Sequence, residues 1–70
     1  MTAKQIIKAI DDRIDAHEHL AALHLSKEQE AMIQGEYYDV KIERELWNLN
    51  RCAAYTLKDL KKEITRKEGN

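Results

Sequence analysis

One residue inside the chain resists helix formation. Gly35 is the only glycine before position 69, and there is no proline among the 70 residues. Elsewhere Ala, Leu, Ile, Glu, Lys and Gln dominate, all good helix formers. No segment alternates apolar and polar residues for more than a few positions, so strand signals are absent. A chain punctuated this rarely folds into a few long helices, and the expected class is all-α.

Two helix starts can be read from local chemistry. Thr2 with Gln5 three residues on has the pattern of a capping box, and so does Ser26 with Gln29. The first helix is therefore expected over about residues 2–24 and the second over about 27–66, with a disordered end at 67–70. Helices meeting across one or two residues must fold back as an antiparallel hairpin. At 1.5 Å per residue the arms span about 35 and 60 Å, so the second helix would extend beyond the first. The alternative is a break at 35–38 giving three helices, because an interior glycine costs only about 1 kcal/mol against alanine.

The stretch VKIERELWNL, residues 40–49, is apolar on two opposite sides. At about 100° per residue, Val40 and Trp47 share one side, whereas Ile42, Leu46 and Leu49 lie on the other. A helix in a small monomer needs only one apolar stripe. The first stripe is assigned to the hairpin core, with Ile33, Tyr37, Val40 and Trp47 facing Ile7, Ile10 and Ile14. The second runs Ile42, Leu46, Leu49, Ala53, Leu57, Leu60 and Ile64, close to a coiled-coil seam. It is the expected interface for a second copy of the chain or for another protein.

Size points the same way. Seventy residues form one domain near the limit at which a single core suffices, and such chains usually need a staple. The single cysteine, Cys52, rules out an intrachain disulfide, and it is expected to be a half-buried apolar residue rather than a reactive thiol. The start, MTAKQIIKAIDD, lacks a signal-peptide core, and no apolar run reaches the roughly 20 residues of a membrane span. The expected location is the reducing cytoplasm, without membrane partners.

Charge is uneven along the chain. Residues 1–26 carry three basic and four acidic groups, residues 27–50 three and six, and residues 51–70 six and three, giving −1, −3 and +3. Antiparallel pairing of two second helices would set acidic 28–45 against basic 51–67, favouring an antiparallel homodimer of hairpins, a four-helix arrangement. The same distribution also suits the dipole of a single helix.

Candidate chemistry is sparse. His17, His19 and His24 lie among Asp11, Asp12, Asp15 and Glu18. Asp15 and His19 have the i,i+4 spacing of ligands on one helix face, with Asp12 one turn earlier, but no two histidines do, and they read more simply as a surface pair. His17 continues the stripe of Ile7, Ile10 and Ile14, as a core-edge histidine with a hydrogen-bond partner. No metal or other cofactor is expected, a metal-binding helical bundle being the lesser alternative. No nucleophile, base and orienter are arranged for catalysis, so the chain is expected not to be an enzyme. Tyr38, Arg44, Arg51, Lys61, Lys62 and Arg66 form a candidate outer binding surface. Arg44 and Arg51 are expected to be seated by Asp11, Asp12 or Asp15. The basic tail makes nucleic acid the alternative partner, although Asp59, Glu63 and Glu68 interrupt it and Glu63 sits four residues before Lys67. The leading expectation is a non-enzymatic protein-interaction module: an adaptor, regulator or inhibitor of a larger protein, working through an exposed helix face.

Overall fold

A computed structural model describes residues 1–68 and contains two antiparallel helices, α1 (Ala3–Gln34) and α2 (Tyr37–Glu68), packed along their length. Each has 32 residues, and the hairpin measures 53 × 15 × 13 Å. The expected all-α antiparallel hairpin is present, but its turn is not at Ser26. Gly35 and Glu36 make the turn, and the arms are equal.

The first capping box forms as expected. Thr2 Oγ1 accepts from the Gln5 amide at 3.2 Å, and Gln5 Oε1 accepts from the Thr2 amide at 2.9 Å. Ser26 has the same local pattern but lies exposed in the middle of α1. A cap there would contribute only about 1 kcal/mol, and stopping α1 at that point would leave the second arm without a neighbour beyond about residue 49 at 1.5 Å per residue. Continuing to residue 34 covers both arms. Gly35 then ends α1 at φ 75° and ψ 19°, a left-handed conformation that glycine adopts without a Cβ penalty. Its amide donates to Met32 O at 3.2 Å, and the Glu36 amide donates to Ala31 O at 2.9 Å. These are the two closing bonds of a Schellman motif. The Val40 amide bonding to Glu36 O at 3.1 Å opens α2. The second helix therefore does not run through Gly35, and the break expected by the alternative at 35–38 is present; its third helix is not, since α1 is unbroken at 26. Lys67 and Glu68 belong to α2; the rest of the expected disordered end lies outside the described residues.

Both helices face each other along heptad seams. On α1 the seam runs Ala3, Ile7, Ile10, Ile14, His17, Ala21, His24, Glu28 and Ala31, all buried or half-buried; on α2 it runs Val40, Glu43, Trp47, Asn50, Ala54, Leu57, Lys61 and Ile64, with Asp11, Leu46 and Ala53 half-buried beside it. Along the seam, steps of three and four alternate, the 3.5-residue period of a coiled coil. Hydrogen bonds from His17 to Asn50 and from His24 to Glu43 fix the register.

Two residues assigned to the hairpin core are outside it: Ile33 is 87% exposed and Tyr37 79%. Grouping them with Val40 and Trp47 presumed a continuous helix, and the turn at Gly35 removes that premise. Ile10 and Ile14 are buried, and Ile7, Val40 and Trp47 are half-buried. The core is thin. Among the described residues no large side chain is fully enclosed, and three of the five buried apolar residues are alanines, Ala21, Ala31 and Ala54.

Candidate functional site: the apolar flank

The seam is mostly apolar towards the chain termini and mixed towards the turn. Ile7, Ile10, Ile14, Leu57 and Ile64 fill the open end beside Lys61, whereas His17, His24, Glu28, Glu43 and Asn50 alternate with Ala21, Ala31, Val40 and Trp47 in the turn half. Each polar group has a partner. Asn50 Nδ2 donates to Leu46 O at 2.9 Å, which orients the amide, so Asn50 Oδ1 accepts from His17 Nδ1–H at 2.9 Å. His24 Nδ1 meets Glu43 Oε2 at 2.5 Å. Glu28, 7% exposed, receives Arg44 Nε at 2.9 Å and a second guanidinium N–H at 2.6 Å. His17 thus occupies the partnered core-edge position read from its stripe.

The apolar residues missing from the turn half of the seam lie beside it. On α1 the adjoining column carries Ile6, Ala9, Ala16, Leu20 and Leu23; on α2 it carries Ile42, Leu46, Leu49, Ala53 and Leu60. Antiparallel helices are related by a local two-fold normal to their common plane, so corresponding columns share one face of the hairpin. The grooves agree. Ile6, Ala9 and Arg13 line one together with Leu57, whereas Glu18, Leu25, Trp47, Arg51 and Tyr55 line another on the opposite side. Ile6, Leu20, Leu23, Ile42, Leu49 and Leu60 are all exposed, Leu49 by 66%. Surface area gives the same message. The chain exposes 5572 Å², and a compact monomer of 8.2 kDa is expected to expose about 4,500 Å².

The second stripe read from the sequence divides here. Ile42, Leu46, Leu49, Ala53 and Leu60 lie on this flank, but Leu57 and Ile64 turn into the seam. The step of four from Ala53 to Leu57 carries the stripe off one column and onto the next, and those two side chains are half-buried against α1.

The opposite face carries the inter-helix ion pairs of Lys58, Lys61 and Arg44 beside the apolar groove residues Leu25, Trp47 and Tyr55. Lys58 bonds Glu18 at 2.7 Å and Lys61 bonds Asp11 at 2.7 Å. The Glu18 carboxylate, by hydrogen bond and then by charge, holds the Lys58 ammonium above the ordinary lysine range. Arg44 pairs with Glu28. Arg51 lies 4.7 Å above the Trp47 ring and 5.6 Å from that of Tyr55, whose hydroxyl accepts its N–H at 3.1 Å. The expected pairing of Arg44 and Arg51 with Asp11, Asp12 or Asp15 is absent among the described residues, because moving the turn from 26 to 35 shifts every facing pair. Asp12 pairs instead with Lys8. Glu63 takes Arg66 at 2.7 Å rather than Lys67.

Tyr38 and Lys62 are exposed. Cys52 is exposed rather than half-buried, since it sits on the outward side of α2. Asp15 and His19 form no ion pair among the described residues, and no group of three or more His, Cys, Asp or Glu side chains there could hold a metal ion. Comparison with known proteins finds no matching family model, no similar curated protein and no similar solved structure. No described helix is long and apolar enough to cross a membrane. The polar seam layers were missed because sequence patterning follows apolar residues; the signal was the 3-4 alternation carried through His17, His24, Glu28, Glu43 and Asn50.

Proposed function

We propose that this chain is a non-enzymatic protein-interaction module whose apolar flank is closed by a second copy of itself. The observation that carries this reading is the exposure of Leu20, Leu23, Ile42 and Leu49 along one side of a half whose interior holds five polar seam residues beside Ala21, Ala31, Val40 and Trp47. A stable interface buries about 800 Å² on each partner. The surface in excess of a compact monomer, about 1,000 Å² by the size scaling, is of that order. Against nucleic acid, the basic end of α2 is engaged: Lys58, Lys61 and Arg66 each hold a carboxylate.

The test is solution mass by light scattering over a hundredfold dilution. Wild type should read about twice 8.2 kDa and fall only on strong dilution. The Leu23→Glu/Leu49→Glu variant should read as monomer. Ile33→Glu, still more exposed but off the flank, should leave the mass unchanged. A monomeric wild type, or a double variant that assembles as before, would sink the proposal.

A further inference from the structure

The geometry points to one orientation for that second copy, an inference that rests on the flank being closed by this same chain. We infer that the hairpins pack head to tail, the turn of each over the open end of the other, about a two-fold level with Ala53. Two observations converge on it.

Folding at Gly35 makes the hairpin an electric dipole. Residues 18–50, the turn half, hold seven acidic and three basic groups, or −4. Residues 1–17 together with 51–70 hold six and nine, or +3, and the halves sum to the chain's −1. The intrachain ion pairs leave these sums unchanged. Head-to-tail packing sets −4 over +3. Packing with both turns at one end sets like on like across a helix-to-helix distance of about 10 Å, roughly the Debye length.

Reversed about Ala53, the α2 column sets Leu46 against the second copy's Leu60 and Ala53 against itself, whereas Leu49 meets its Thr56 and Ile42 falls near its Glu63. The α1 column has its own reversal, which sets Ile6 against the second copy's Leu23, Ala9 against its Leu20, and Arg13 against its Ala16. These two centres need not coincide. The register fixed by His17–Asn50 and His24–Glu43 brings them level, so a single two-fold serves both columns.

Spin-label distances decide the orientation. A label on native Cys52, exposed and nearly level with Ala53, should report a partner label at about 20 Å across two packed helices. A label on Glu36→Cys in a Cys52→Ser background marks the turn, which lies about 26 Å from the two-fold at 1.5 Å per residue. Its partner label should then be about 50 Å away at the same rise, in a sample whose mass by light scattering is that of the dimer. A dimer with Glu36→Cys labels within about 25 Å would overturn the orientation and leave the flank proposal standing. A sample that is monomeric by mass, with no coupling from either label, would overturn both.

Discussion

Replacing Gly35 by alanine separates two folds of this sequence by the sign of its effect. If the second helix ran continuously through residue 35, the substitution would improve an interior helix position and stabilise the chain by about 1 kcal/mol. In the hairpin Gly35 sits at φ 75°, with nothing within 4 Å of where a Cβ would stand. The cost is therefore purely conformational, about 1–2 kcal/mol for a non-glycine residue in the left-handed region. Asparagine, which tolerates that region better, should cost less than alanine. For a chain of this length 1 kcal/mol moves the midpoint by about 4–8 °C, so Gly35→Ala should melt 4–16 °C lower by that scaling. Helix circular dichroism at one fixed chain concentration is the assay, because association also moves the midpoint. An alanine variant that melts higher than wild type would refute the turn at Gly35 and every register argument built on it.

Two further substitutions probe the faces that the turn creates. His24→Leu should lower stability by about 1–3 kcal/mol, because it leaves the Glu43 carboxylate half-buried without its partner. His24→Leu/Glu43→Leu should return to wild-type stability or exceed it by about 1–4 kcal/mol, and equal denaturation midpoints for the single and double variants would show that the two do not meet. Because Glu18 raises the Lys58 pKa in the folded chain, that contribution is complete below the unfolded lysine value of about 10.4 and is lost as pH rises through the higher folded value. The stability difference between wild type and Lys58→Met should therefore stay constant from pH 7 to 9 and shrink only above about pH 10; shrinkage nearer neutrality would contradict the pairing.

Local chemistry was legible in the sequence, and the choice between equivalent local signals was not. Thr2–Gln5 and Ser26–Gln29 are the same motif, yet only the first begins a helix. What distinguishes them is non-local: a turn at 35 matches the two arms in length, and a turn at 26 does not. The doubled apolar pattern of residues 40–49 was also legible, since Val40 and Trp47 enter the seam and Ile42 and Leu49 remain outside. Beyond Ala53 the same reasoning failed. Leu57 and Ile64 continue an apolar series along the chain but change column, and only the facing helix reveals that. The partners of Arg44 and Lys61 were hidden for the same reason, as each depends on the register.

The polar turn half and the apolar flank beside it divide two tasks between one pair of helices. Slipping one helix past the other by a heptad would part His17 from Asn50 and His24 from Glu43, leaving half-buried polar groups unpaired at about 1–3 kcal/mol each. An all-leucine seam would impose no such penalty. Polar layers therefore specify register, at some cost in stability, as single polar seam positions do in coiled coils. The remaining seam cannot supply much of that stability alone, because its buried apolar residues are two isoleucines and three alanines. On the proposed dimer the deficit is met from the flank, where Leu20, Leu23, Ile42 and Leu49 cover precisely the half that is weakest inside. Folding and assembly would then be one equilibrium, with the seam fixing which residues of the two helices lie level and the flank holding the helices together.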